Sequence, residues 1–445
     1  MIRRLLIAGV RWIGHRRGAG TLPALFVLFC GMGGYGRPVV PTVDVVELRG
    51  AGLAQYWQVD LPLDRREQLQ RLELVDDNLY CITDCGTVAA VHAPTGVIRW
   101  IVPVTAAGRP VLGPTNTSQD ALVTTAEALT RYDRVSGEAA GKLRIDFMPS
   151  CPAVADGQRV YAAGLDKLMR CVRLADEVLV WQVQTADPVI SAPVLSESAL
   201  YFASRDGVVY SCQPQSKRER WTVELGEPVL ADLQVSGQAV VVSSTSGSVY
   251  CLEADSGRVR WRFRTPGQLL HSPAATGDAV YQYSQDHGLY ALDLASGRQL
   301  WHRRVAWQFL GQHNSVAYLF DGMGLIVGVD NRTGEDVGTA RAGGVELAAV
   351  NRRGPDLFVA SSKGSVVCIH PRSQPYLTRD ELAAAWRSAQ PAGDRPDAGV
   401  TAGSAETSQA PADAQLDLLR SSDATPAVGG YNVLAEPDGG ETDDN

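Results

Sequence analysis

The 445-residue sequence predicts an all-β fold: an eight-bladed β-propeller of four-stranded antiparallel blades, closed by an N-terminal strand near Trp57. Three observations carry this expectation. Trp181, Trp221, Trp261 and Trp301 stand 40 residues apart, the interval of a repeat architecture. Each closes a segment that reads strand, Gly-containing turn, strand, Ser-Gly or similar turn, Trp. The last repeat lacks the strand that bears the Trp, and a matching strand lies at the other end of the chain.

Each position of the unit has a mechanical reason. Twenty residues before the Trp stands an aromatic or β-branched residue (Tyr80, Tyr161, Tyr201, Val241, Tyr281), which suits a half-buried strand. Gly86, Gly207 and Gly247, with Gly288 one place later, supply the positive φ of a tight hairpin. Ten before the Trp the residue is small (Ala90, Cys171, Ser211, Cys251, Ala291), which implies crowding between stacked sheets. The run Asp293 to Gly297 is the best form of the second turn, with the Asp closing on backbone amides and Gly in the left-handed region. Gly96 and Gly257 match that Gly, whereas Glu177 and Lys217 do not.

The unit ending at Trp100 is a further good copy. Weaker copies run from Leu122 to Gly137, with its Trp position at Gly141 or Lys142, and from Tyr318 to Gly334, with Gly338 there. The last, 357–373, has two central strands and no following Trp strand; Tyr56 to Leu61 supplies it. Eight blades result, and closure across the termini leaves only short, protected sheet edges.

The run Gly288-Leu-Tyr-Ala-Leu-Asp-Leu-Ala-Ser-Gly297 through Trp301 resembles the blade motif of the pyrroloquinoline-quinone-like (PQQ-like) eight-bladed propellers, and the resemblance spans about residues 55 to 377. It implies that Trp57, Trp100, Trp181, Trp221, Trp261 and Trp301 are structural residues docking one blade on the next. A WD40 propeller fits less well, because no unit ends Trp-Asp and none begins Gly-His.

Four regions follow: a targeting segment (1–37), the propeller (38–377), a helix (378–390) and an acidic tail expected to be disordered (391–445). Arg3, Arg4, Arg11, Arg16 and Arg17 precede the apolar run Leu22 to Phe29, which is short for a bilayer span. Cys30 follows, as in a bacterial lipoprotein signal, although Phe29 stands where such signals carry a small residue. Lipidation of Cys30, ordinary cleavage at 31–36 and an uncleaved segment are all open, with Pro38 onward as a tether. Thr378 and Glu381 form a capping box for the helix, whose Leu382 and Trp386 are expected on the propeller rim. The tail holds eleven acidic and two basic residues, so the net charge of −8 belongs to it and the ring is nearly neutral. No basic stripe with interleaved aromatics argues for nucleic acid.

Beyond Cys30 an odd seven cysteines remain, several at the small-residue register, and read as buried small hydrophobes. Cys81 and Cys85 flank a hairpin turn and leave a strained disulfide or a metal ligand pair open. His271 and His313, near the starts of neighbouring blades, are a weak metal candidate. Asp206, Asp286 and His287 sit at turn positions where geometry already accounts for them.

Three functions are compatible with the resemblance. The first is a non-catalytic extracytoplasmic scaffold, periplasmic or outer-membrane associated, with Cys30 as the candidate lipid anchor, similar to the BamB-type outer-membrane assembly lipoproteins. It implies protein partners, a monomer, and no cofactor, metal or catalytic residue. Trp307 and Phe309, in a less regular blade, are the candidate partner surface, with a core role equally open for both. The second is a PQQ- and calcium-dependent dehydrogenase; adjacent cysteines and funnel-building insertions, which the resemblance would require, are missing from this sequence. The third is a metal- or sugar-binding surface protein. No HExxH helix, Gly-x-Ser-x-Gly elbow or phosphate loop appears.

Overall fold

The computed structural model describes residues 42–43, 45–304, 308–374, 376 and 378–389, and these form eight antiparallel sheets. Blades 1 to 7 follow the chain at 69–103, 112–144, 154–184, 194–224, 234–264, 274–303 and 308–343, each laying down its four strands in order. Blade 8 takes three strands from Leu347–Ala349, Leu357–Ala360 and Ser365–Pro371 and its fourth from Leu53–Asp60. Trp57 pairs with Cys368 in that closure, so the two ends of the ring share one sheet. The first strand of blade 1 touches those of blades 8 and 2, and the first strand of blade 3 those of blades 2 and 4. First strands therefore surround the axis and fourth strands form the outer edge.

The strand patterns follow from that placement. Second strands are covered on both faces by neighbouring blades, and Ala239–Ser243 is buried at every position. Fourth strands sit at the rim and alternate: in Val259–Arg264 only Trp261 is fully buried. The small-residue register is explained directly, since Ala90, Cys171, Ser211, Cys251, Ala291 and Cys368 each pair across the sheet with a Trp.

Inside the ring, polar bonds one repeat apart tie blade to blade. Arg71 Nη2 donates to the Val111 carbonyl (2.7 Å), Thr115 Oγ1 to Ala153 (2.6 Å), Ser150 Oγ to Val189 (2.6 Å) and Gln308 Nε2 to Ala348 (3.0 Å). The Ala192 amide donates to Asp232 Oδ1 (2.7 Å), and the Asp232 amide to Ser272 Oγ (3.1 Å).

The segment before the closing strand holds a short strand and a helix, where a tether was expected. Helix α1 (Val45–Gly50) lies against the fourth strand of blade 7, and Thr42–Val43 adds a fifth strand there. Leu48 and Leu53 are fully buried among Phe320, Ile326, Ala342, Leu357 and Ile369, which belong to blades 7 and 8. At the other end, helix α2 (Arg379–Ala389) touches the fourth strand of blade 1. Its capping box is formed: the Glu381 amide donates to Thr378 Oγ1 (3.3 Å) and the Thr378 amide to Glu381 Oε2 (2.7 Å). Cys30 and the acidic tail lie outside the described residues.

Candidate functional site: the blade seams

Six seams carry the same latch. A fourth-strand indole leans onto the next blade and donates its N–H to the carbonyl just after that blade's third strand. The pairs are Trp57 to Ala93 (3.0 Å), Trp100 to Arg134 (3.1 Å), Trp181 to Pro214 (2.8 Å), Trp221 to Ala254 (2.9 Å), Trp261 to Leu294 (2.9 Å) and Trp301 to Asn331 (3.1 Å). All six tryptophans are between 5 and 8 % exposed. Burying so large a ring while satisfying its donor makes each latch a major packing contribution.

The turn glycine three residues beyond the acceptor has a second role that the sequence pattern alone conceals. Its φ is positive, +71° at both Gly257 and Gly297. A Cβ on Gly297 would also stand 2.5 Å from Trp261 Cδ2, and one on Gly137 2.4 Å from Trp100 Cγ. At most latched seams the position is glycine because an indole fills the space. Lys217 is the exception, taking φ +53° under the Trp181 seam and donating from Nζ to the Gln182 carbonyl (3.2 Å).

Among the described residues two seams have no indole, and each is resolved differently. In blade 7 the pair is Gly328 and Gly338, and a Cβ on Gly338 would stand 2.7 Å from Ala51 Cα, so the N-terminal segment fills the space. In blade 2 the Trp register falls on Gly141, which pairs with Arg131. Bulk has moved across the sheet: Arg131 replaces the small residue, and a Cβ on Gly141 would stand 2.7 Å from its Nη2. Arg131 is held by Asp120 (3.1 Å). The facing turn of blade 3 carries Glu177 at φ +58° instead of glycine.

A cavity of about 380 Å³ opens at this blade 2 to blade 3 seam, lined by Arg131, Gly157 to Arg159 and Arg173 to Ala175. Arg159 pairs with Asp156 (3.1 Å) and Arg173 with Asp176 (2.9 Å), both on blade 3. Leu174 stands at the register whose carbonyl accepts an indole N–H elsewhere. Among the described residues no hydrogen bond to its carbonyl is formed.

The other sequence-derived candidates separate. Phe309 is a correction: at 3 % exposure it stacks on Tyr281 with centroids 4.1 Å apart, so it belongs to the core between blades 6 and 7 and offers no partner surface. Its first-strand position faces blade 6, a neighbour that the local sequence does not reveal. Trp307 lies outside the described residues. Cys81, Cys85, Cys151, Cys171, Cys212, Cys251 and Cys368 are free thiols, and all except Cys85 are buried. His271 meets the edge of Tyr283 at 5.2 Å while His313 Nε2 is 2.9 Å from Ser373 Oγ, so the two histidines take separate neighbours. Asp286 takes φ +62° in its hairpin turn. Near the axis, burial raises the Glu73 carboxyl above its ordinary range against the pull of Arg71, whose Nη1 lies 3.3 Å away. Among the described residues no three His, Cys, Asp or Glu side chains converge as a metal site, and no helix is long and apolar enough to cross a membrane.

Residues 205–374, from the second half of blade 4 through the third strand of blade 8, match the family model described as outer membrane protein assembly factor BamB. The chain carries a PQQ-like eight-bladed β-propeller. BamB from Moraxella catarrhalis superposes with a TM-score of 0.57 at 18 % identity, covering 72 % of this chain and 99 % of that one. The computationally designed Ika8 protein gives a TM-score of 0.58 at 12 % identity, covering 71 % and 100 %. At such identities both similarities establish the fold alone. A search of curated proteins by sequence found no match.

Proposed function

We propose that the PQQ-like propeller is a non-catalytic, extracytoplasmic scaffold that holds a protein partner on its blade-connecting loops, in the cell envelope. The observation that carries this reading is the match of blades 4 to 8 to the BamB family model, with the whole ring accounted for by the same fold. A surface on those blades supports it. Leu230 and Leu270 are 36 and 44 % exposed, stand one repeat apart in the loops leading into the first strands of blades 5 and 6, and continue the half-buried Ile190 ahead of blade 4. A repeated aliphatic position turned outward on consecutive blades makes an apolar arc of the kind that protein interfaces use. Lipidation of Cys30 would tether the ring to a membrane.

The test is affinity capture from solubilised envelope with the full chain and with a Leu230→Asp, Leu270→Asp variant. The reading expects a defined partner that the variant loses while its melting temperature is unchanged. Stoichiometric binding of pyrroloquinoline quinone with Ca²⁺, accompanied by alcohol or aldose oxidation, would overturn it in favour of a dehydrogenase. Fatty-acid labelling with a Cys30→Ala control tests the anchor, and sedimentation of the purified chain tests the expected monomer.

A further inference from the structure

From the two seams that lack an indole, we infer that the cavity between blades 2 and 3 is a vacant tryptophan seat, and that it binds an indole side chain presented by a partner polypeptide. Six other seams of the same ring show what this position is built to hold. In each, a ring packs against the third-to-fourth strand turn of the following blade and donates its N–H to the carbonyl at the register of Leu174. Here the supplying residue is Gly141, and the Leu174 carbonyl receives no donor among the described residues.

The seventh seam shows that the fold does not simply leave such a space open. At Gly338 the chain's own Ala51 enters, with Leu48 and Leu53 sealing the neighbouring blades. At Gly141, among the described residues, the atoms nearest an added Cβ are those of Arg131, which reaches over the glycine from the adjacent strand and also lines the cavity of about 380 Å³. That volume lies at the small end of the roughly 300–1,000 Å³ typical of ligand pockets, as suits one side chain rather than a cofactor.

The lining favours an aromatic occupant over an aliphatic or anionic one. Arg131, Arg159 and Arg173 line the cavity, and a guanidinium favours the negative face of a π-system. Their charges are already met by Asp120, Asp156 and Asp176, so little is left to attract a free anion. An indole satisfies both features, stacking on guanidinium and supplying the N–H that the carbonyl lacks. The inference rests on the scaffold reading and adds a site and a side-chain class to it; because its test uses free amino-acid amides, failure would leave partner capture at the Leu230 and Leu270 loops standing.

The experiment titrates the full chain with 5-fluoro-N-acetyltryptophanamide and follows the fluorine resonance. The expected result is saturable binding that N-acetylleucinamide and inorganic phosphate do not compete away. The paired substitution Gly141→Trp, Arg131→Ala restores the arrangement of the other blades and should weaken binding at least tenfold by filling the seat. Ala175→Arg, at an exposed lining position, should block the seat in a ring whose circular dichroism is unchanged. Absence of saturable binding, full binding in both variants, or displacement by phosphate would each overturn the assignment.

Discussion

Replacing Trp261 by alanine removes a latch in the most regular part of the ring, and its size can be worked from the structure. The indole is 8 % exposed, packs on the Gly297 turn and donates to the Leu294 carbonyl at 2.9 Å. Truncating a buried tryptophan costs about 3–5 kcal/mol, of which about 1 kcal/mol belongs to the hydrogen bond. Gly297→Ala perturbs the same contact from the other side. Its φ of +71° carries a penalty of about 1–2 kcal/mol for any L-residue, and the new Cβ would also meet the indole at 2.5 Å. In the Trp261→Ala background that clash disappears and only the backbone penalty remains. The two substitutions should therefore couple by about 1–3 kcal/mol in a double-mutant cycle, measured as guanidinium unfolding followed by circular dichroism. Lys217, already a side chain at this register beside Trp181, should yield a smaller coupling in the equivalent cycle. A Trp261→Ala cost below about 1 kcal/mol, or strict additivity with Gly297→Ala, would refute the latch.

Three further predictions follow from the same geometry. Leu48→Ala should destabilise by about 2–4 kcal/mol by emptying the blade 7 to blade 8 seam, and an unchanged unfolding midpoint would show that the N-terminal helix is dispensable. Asp77 meets Arg99 at 2.9 Å and also pairs with Arg134; burial raises its pKa, but the Arg99 charge and hydrogen bond, then Arg134, outweigh burial and hold it below the ordinary carboxylate value. A depressed folded pKa contributes stability above the unfolded value that is lost as pH falls through the folded one, so Asp77→Asn should cost about 1 kcal/mol at neutral pH, a figure discounted for solvent screening. The difference from wild type should vanish in acid, as thermal unfolding across pH would show. Burial pushes the Cys151 and Cys212 thiols up to about 12. Of the seven cysteines after Cys30, only Cys85 should be alkylated by iodoacetamide in the native protein at mildly alkaline pH, with the others reacting after denaturation; mass mapping that finds native labelling of Cys171 or Cys251 would contradict their burial.

The site was less legible than the ring, for identifiable reasons. The latch tryptophans and their turn glycines recur at fixed offsets, so their registers could be read directly. Their partnership could not, because Gly297 meets an indole 36 residues earlier and only the stacking of blades brings them together. The Trp register of blade 2 was ambiguous between Gly141 and Lys142 until strand pairing placed Gly141 opposite Arg131. Phe309 reads as an irregular aromatic in sequence and is a core ring in space. Arg131 had no sequence signal beyond its departure from the small-residue register of the regular blades.

The 40-residue pitch by itself determined the all-β class, the eight blades and the use of Trp57 to complete the last one. Each blade needs the same ladder, the same turns and the same rim residue, so local pattern repeats wherever local geometry does. Only the tertiary structure decided what becomes of the seams where the pattern fails. One is filled by Ala51 and Leu48 from the far end of the chain, the other is left open beneath Arg131, because filling a gap between blades depends on which distant atoms can reach it and no periodicity records that reach.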